Sequence, residues 1–125
     1  MKYLLDVNLL IAAIWTDHTS HSKADRWTRG RQMVVCPITE LGFLRISTHP
    51  KGLNSEMPGA RRLLADFLST HAVEFVPCDL AALNSKAARS DGVTDLYLAD
   101  LASGKGLKLA TLDKGIVHPA VEIVG

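Results

Sequence analysis

Short apolar runs alternate with longer segments of helical period along the whole chain, and no other feature constrains its fold as tightly. Lys2–Leu5 reads as a strand and Asn8–Trp15 as a short apolar helix. Ser20–Arg29 reads as a more polar helix, with Ala24 and Trp27 on one face. Met33–Cys36 is a β-branched strand ended by Pro37. The spacing predicts a helix over Ile38–Thr48 with a wide apolar face of Leu41, Phe43, Leu44 and Ile46. His49–Pro58, rich in Pro, Gly, Asn and Ser, is a loop. Helices are expected at Gly59–Thr70, with Leu63, Leu64, Phe67 and Leu68 at helical spacing, at Leu80–Arg89, and at Thr94–Ser103, with Leu98, Leu101 and Ala102 on its buried face. Strands are expected at Glu74–Val76, Leu107–Leu112 and Val121–Val124.

Strands alternating with helices imply parallel pairing through βαβ crossovers. The strands are short and mostly apolar, as strands covered on both faces are. The expected fold is therefore α/β: a three-layer α/β/α domain with a mostly parallel sheet of four or five strands. At 125 residues the chain suits a single domain, 1–125. With 47% hydrophobic and 22% charged residues, it is a folded protein rather than a disordered one. Its apolar runs fall well short of the ~20 residues of a membrane span. Asp6 and Asn8 interrupt any signal-peptide core near the start, so the expected location is cytoplasmic, with no membrane contact. Fourteen basic residues against thirteen acidic ones give no global attraction to nucleic acid, so any binding must use a local patch or a metal site. Cys36 and Cys78 stand alone, without a C-x-x-C, which excludes a zinc ribbon or a thioredoxin-type site. They read as reduced, small core residues.

In parallel α/β sheets the chemistry lies beyond the carboxyl ends of the strands. Asp6 follows the first strand and Asp113 follows the Leu107–Leu112 strand. Glu40 lies in the first turn of the helix after Met33–Cys36. Asp95 opens a helix, and it reaches the same edge if the Asp91–Thr94 turn crosses the sheet. Taken singly, each has an ordinary explanation in the helix dipole or in loop chemistry. Together they have an energetic consequence. Two unit charges about 4 Å apart repel by roughly 4 kcal/mol at an effective dielectric of 20. Four converging carboxylates must therefore take up protons or hold a cation. An all-oxygen ligand set favours Mg²⁺ or Mn²⁺ over zinc, and such a site suits phosphodiester hydrolysis.

Four segments carry a resemblance. Leu4-Leu5-Asp6-Val7-Asn8-Leu9-Leu10-Ile11-Ala12, Thr39-Glu40-Leu41-Gly42-Phe43-Leu44-Arg45, Thr94-Asp95-Leu96-Tyr97-Leu98-Ala99 and Thr111-Leu112-Asp113-Lys114-Gly115 resemble, in order, the acidic motifs of PIN-domain ribonucleases. The stand-alone VapC-type toxins of bacterial toxin–antitoxin pairs are the nearest subgroup. A single D-x-N is weak; the ordered set spans nearly the whole chain. The resemblance implies a PIN-like fold and a Mg²⁺- or Mn²⁺-dependent endoribonuclease. It implies hydrolysis of RNA phosphodiester bonds by in-line attack of metal-activated water, leaving a 5′-phosphate. Asp6, Glu40, Asp95 and Asp113 would be the catalytic, metal-binding carboxylates. Asn8 would support the site by hydrogen bonds, and Thr111 would support it or touch a substrate phosphate. The implied partners are a cognate antitoxin, the RNA substrate and a second copy of the chain.

Other residues fit ordinary roles. Asp100 is five residues beyond Asp95, hence on another helix face, and reads as a surface acid. Asp91 reads as loop punctuation before Gly92. His18 and His21 lack a third and fourth zinc ligand and read as structural. Arg45, Lys51, Arg61 and Arg62 could form an RNA-facing patch, and Arg26, Arg29 and Arg31 another, with Arg45 the best candidate; Lys114, beside Asp113, is a second candidate substrate contact. Trp15 and Trp27 read as core or interface anchors. One competing reading is a phospho-accepting receiver module, whose only available acceptor is Asp79 and which lacks the paired acids expected after its first strand. A phosphatase would need D-x-D where this chain has Asp6-Val7-Asn8. A catalytically inert RNA-binding PIN domain would be expected to have lost a carboxylate, and none is lost.

Overall fold

The computed structural model describes residues 1–125. Five strands form one parallel sheet: β1 (Lys2–Leu5), β2 (Gln32–Val35), β3 (Glu74–Phe75), β4 (Lys108–Thr111) and β5 (Val121–Ile123). Their spatial order is β3-β2-β1-β4-β5, with β1 in the centre. Tyr3 pairs with Met33 on one side and Lys108 on the other, and Leu4 with Val34 and Leu109. Five helices cover the sheet: α1 (Val7–Ile14), α2 (His21–Thr28), α3 (Pro37–Thr48), α4 (Met57–Thr70) and α5 (Val93–Gly104).

The two-residue period of the strands divides the core into two halves. Leu4, Val34 and Leu109 point to α5, where they pack with Leu98, Leu101 and Ala102. Leu5, Met33, Val35 and Ala110 point the other way, to Leu9, Leu10, Phe43, Leu64 and Phe67. This is the expected α/β/α layering, and the expected strands are present to within two residues at each end.

Two expectations are corrected. Leu80–Arg89 is not a helix: it holds only a short 3₁₀ turn at Ala82–Asn84, and a second such turn covers Ser90–Gly92. Helices in proteins are stabilised mainly by burying an apolar face. Here Leu83 is 93% exposed and Leu80 is exposed as well, so there is no face to bury. The segment is instead tethered by Tyr97, whose hydroxyl donates to the Leu80 carbonyl at 2.7 Å. The inward face of α3 also differs from the expected one. Thr39, Gly42, Phe43 and Ser47 are buried, whereas Leu41 is 65% exposed and Ile46 is also exposed. Close packing on α1 selects the small residues. The buried hydroxyls are satisfied: Ser47 accepts from Trp15 Nε1 at 3.0 Å, and Thr39 donates to the Cys36 carbonyl at 3.0 Å. On α4, Leu64 and Phe67 are buried and Leu63 is exposed.

The end of α4 provides a stability test. The Val73 N–H donates to the Leu68 carbonyl at 2.9 Å and the Ala72 N–H to the Ser69 carbonyl at 3.2 Å, a Schellman ending. Such an ending needs a left-handed residue, and Ala72 supplies it at φ 49°. A left-handed alanine carries a steric cost of roughly 1–2 kcal/mol, partly offset by the entropy a glycine would lose. Ala72→Gly is expected to raise the unfolding free energy by about 0.5–1 kcal/mol in urea titrations. A loss of stability would show that the alanine methyl makes a compensating contact.

Candidate active site

Asp6 is the first residue beyond β1. Its backbone N–H still donates to the Ala110 carbonyl at 2.9 Å, which extends the β1–β4 pairing into the site. Its side chain caps α1: Oδ1 accepts from the Val7 N–H at 2.8 Å. Oδ2 accepts from the Thr111 hydroxyl at 2.7 Å. The residue is only 4% exposed. Burial pushes its carboxyl above the ordinary value, the bonds from Thr111 and Val7 pull it down, and the charge of Asp113 pushes it up again.

Thr111, the last residue of β4, is fully buried and joins three parts of the site. Its one proton goes to Asp6. Its oxygen accepts from the Asp113 N–H at 3.0 Å and from Asn8 Nδ2 at 3.2 Å. Asn8 Oδ1 in turn accepts from the Leu112 N–H at 3.2 Å, which sets the orientation of the amide. Thus Asn8 and Thr111 tie the ends of β1 and β4 together. Asp113 follows directly and is exposed, with Oδ1 accepting from the Gly115 N–H at 2.8 Å in a tight turn.

Asp95 arrives from the opposite layer. It lies in the first turn of α5 and is half-buried. Its carboxyl is pushed up by burial first, then by the charges of Asp6, Asp113 and Asp91. The Ser90–Gly92 turn therefore does bring the start of α5 to the edge that carries Asp6 and Asp113. A cleft of about 460 Å³ opens there, lined by Asp91, Asp95 and Asp113 together with Arg89, Leu96, Gly115, Ile116 and Val117.

The other candidates are placed as follows. Glu40 is half-buried in the first turn of α3, at the end of the neighbouring strand β2. It shares the edge, but its charge is not among those that raise Asp6 or Asp95. No three His, Cys, Asp or Glu side chains already stand in metal-coordinating proximity, so the acids are gathered without being drawn into a closed shell. Lys114 is exposed beside Asp113. Arg45 does not line the acidic cleft; it lines a separate pocket at the far end of α3.

Sequence reasoning missed one member of the site and misread another acid. Asp91 is a wall of the cleft whose charge acts on Asp95, not mere loop punctuation. Its four-residue spacing from Asp95 was the only hint. Asp100 is not a free surface acid: its Oδ1 lies 2.9 Å from His118 Nε2. The Ala120 N–H donates to His118 Nδ1 at 3.0 Å, so the ring proton sits on Nε2 and is donated to Asp100. That pair pins the segment after Asp113 onto α5. His18 accepts from the Ser20 N–H at 3.0 Å, and His21 Nδ1 lies 2.8 Å from the Ala12 carbonyl, in keeping with structural roles. Asp79 is exposed and paired to Lys105 at the far end of α5 from Asp95, so it lies apart from the acids that a receiver module's acceptor would need beside it. Lys105 also holds the Asp79 carboxyl below its ordinary value.

Gly42 sets how closely α3 approaches α1. A Cβ there would fall inside the Val7 side chain, the first residue after Asp6. Valine in a helix has essentially one χ1 rotamer and yields little. Gly42→Ala is expected to destabilise the fold by about 1–3 kcal/mol in urea titrations and to shift Glu40 away from Asp6. A change within about 0.5 kcal/mol, the range of ordinary surface substitutions, would show that the helices have room to part.

A parallel sheet with carboxylates gathered beyond its strand ends places the protein among three-layer α/β folds with an acid-lined cleft. Within that class, the chain belongs to the PIN-domain family: the family model for the PIN domain matches residues 3–122. It is 35% identical over 121 residues to Ribonuclease VapC38 of Mycobacterium tuberculosis, covering 90% of this chain and 86% of that one. It is 34% identical over 131 residues to Ribonuclease VapC44 of the same species, covering 97% and 92%. Its fold is also similar to a chain in the crystal structure of VapBC2 from Rickettsia felis bound to a DNA fragment from their promoter. That match has a TM-score of 0.65 at 18% identity and covers 98% of both chains.

Proposed function

We propose that this chain is a Mg²⁺- or Mn²⁺-dependent endoribonuclease and the toxin component of a toxin–antitoxin pair. The observation that carries the reading is the gathering of Asp6, Asp95 and Asp113 at one edge of the sheet, where burial first, and the neighbouring acids' charges after it, push the Asp6 and Asp95 carboxyls up. Carboxylates held in that state are relieved by a divalent cation, and an all-oxygen donor set suits Mg²⁺ or Mn²⁺. Asp6, Asp95 and Asp113, with Glu40 from the adjacent strand end, would hold the ion. When bound, such an ion neutralises charge on the phosphate and lowers the pKa of water.

The chain's own residues prepare that chemistry. Thr111 and the Val7 N–H hold both oxygens of Asp6 in fixed directions, so its orientation is preorganised. Asn8 and the Asp113 N–H keep the Thr111 hydroxyl turned toward Asp6. The Gly115 N–H orients Asp113. Lys114 stands where it can meet an RNA phosphate near the acids. A cognate antitoxin and a second copy of the chain are the proposed protein partners, and the cytoplasm the proposed location. No helix is long and apolar enough to cross a membrane.

The test is 5′-end mapping of total bacterial RNA incubated with the protein, with Mn²⁺ or with chelator. New 5′-phosphate ends in the Mn²⁺ lane alone are the expected result. No new ends in any lane, or ends that persist in chelator, would overturn the reading.

A further inference from the structure

A second concave site lies at the other end of α3. It is a pocket of about 300 Å³ lined by Arg45, Ile46, His49, Lys51 and Gly52, with no carboxylate in its wall. Arg45, His49 and Lys51 are all exposed, and none takes part in any of the ion pairs of the molecule. His49 Nδ1 accepts from the Lys51 N–H at 3.0 Å, which leaves the Nε2 hydrogen of the neutral ring as its free donor.

A helix C-terminus ordinarily repels an anion, because its last carbonyls are bare. Here the chain folds back and covers two of them. The Ile46 carbonyl accepts from the Leu53 N–H at 3.2 Å, and the Ser47 carbonyl from the Ser55 N–H at 2.8 Å. The His49 carbonyl accepts from Gly52 at 2.8 Å and Asn54 at 3.1 Å. The fold-back is tight enough that a Cβ on Gly52 would collide with the Ile46 carbonyl oxygen. Three cationic or donor side chains thus face one hollow beside which the Ile46, Ser47 and His49 carbonyls are already occupied.

We propose that this pocket binds a backbone phosphate of single-stranded RNA. The proposal rests on the ribonuclease reading above. Glu40 lies in the first turn of α3 and His49 caps its end, roughly 13 Å along the axis at 1.5 Å per residue. An RNA strand a few nucleotides beyond the cleaved bond can span that length. With a net charge of only +1, the protein has no general attraction for nucleic acid, so it needs such a local contact. The arginine fork and the lysine ammonium match phosphate oxygens in a sequence-independent way.

The test is fluorescence anisotropy with a labelled single-stranded RNA of about twelve nucleotides, in chelator so that nothing is cut, across a salt series. Arg45→Gln/Lys51→Gln is compared with wild type and with Lys23→Gln/Lys86→Gln, which removes equal charge at exposed lysines that take part in no ion pair. The pocket variant is expected to weaken binding about tenfold and to lower the salt slope by about 0.7, the share of one phosphate contact on a single strand. The control stays near wild type. With cleavable RNA, KM rises and kcat holds. Equal loss in both variants, or none in the pocket variant, overturns the proposal, as does loss of an acidic peptide's binding without loss of RNA's. RNA binding that depends on the pocket, in a protein that cuts no RNA, would support the pocket while the ribonuclease reading failed.

Discussion

Asp95→Asn is expected to lower kcat/KM on RNA by about a hundredfold or more, because it removes one of the charges that would hold the cation. The same substitution is expected to raise, not lower, the melting temperature of the metal-free protein. Asp95 has no hydrogen-bond partner to lose, and its carboxyl is held above the ordinary value by burial and by Asp6, Asp113 and Asp91. A carboxyl raised by folding contributes stability only while protonated. That contribution is lost as pH rises through its folded pKa, so at neutral pH the charged form works against the fold. The gain in the variant should therefore be present at neutral pH and vanish in acid below the ordinary value of 3.8. Its size is limited because the group is half-exposed and screened. Thermal melts in chelator at the two pH values, with cleavage assays beside them, read both effects. A fall in melting temperature would make Asp95 a structural residue, and unchanged cleavage would remove it from the site.

Thr111→Val is expected to damage both stability and activity with no change in volume. Valine fills the same space but cannot donate to Asp6 or accept from Asn8 and the Asp113 N–H. Leaving buried polar groups without partners costs about 3 kcal/mol. Asp6 also loses the strongest influence that holds its carboxyl down, so its folded pKa climbs further. By the same sign argument, the Asp6 part of the deficit should fade in acid below the ordinary carboxylate value, leaving the pH-independent loss of the Asn8 and Asp113 N–H bonds. The deficit should widen as pH rises. Urea titrations in acid below that value and at about pH 7 measure this directly. Thr111→Ser keeps the hydroxyl and should restore most of the activity. Failure of that rescue would show that the methyl, not the hydroxyl, is what matters at this position.

Much of this site could be read before the structure. Asp6 and Asp113 each follow a short apolar strand, and parallel strands must end at one edge. Asn8 and Thr111 sit two residues from those acids, so strand geometry already brings them near. Asp95 was conditional on a turn whose path local sequence does not encode. The structure resolves it through Tyr97, which anchors the irregular chain ahead of α5, and through the Ser90–Gly92 turn. Glu40 shows the limit of the argument: an edge is shared by every strand end, but proximity within the edge depends on how far the helices lie apart.

The misreadings have a common cause. Leu80–Arg89 carries helix-forming residues, and propensity without a surface to bury did not make a helix. The buried face of α3 was misjudged because hydrophobicity was counted while contact distance was not. Gly42 and Ser47 are inside because α1 lies too close for Leu41 or Ile46 to fit. Asp100 looked like a surface acid because its partner, His118, is 18 residues away in sequence.

Strand identity, layer order and the acids at the strand ends were determined by local pattern alone, because period and chain direction follow from each residue's immediate neighbours. The approach of α5, the burial that raises Asp6 and Asp95, and the cation-lined hollow at the end of α3 were decided only in the tertiary structure. Each depends on distances between segments far apart in the chain, and charge, desolvation and close packing act through those distances.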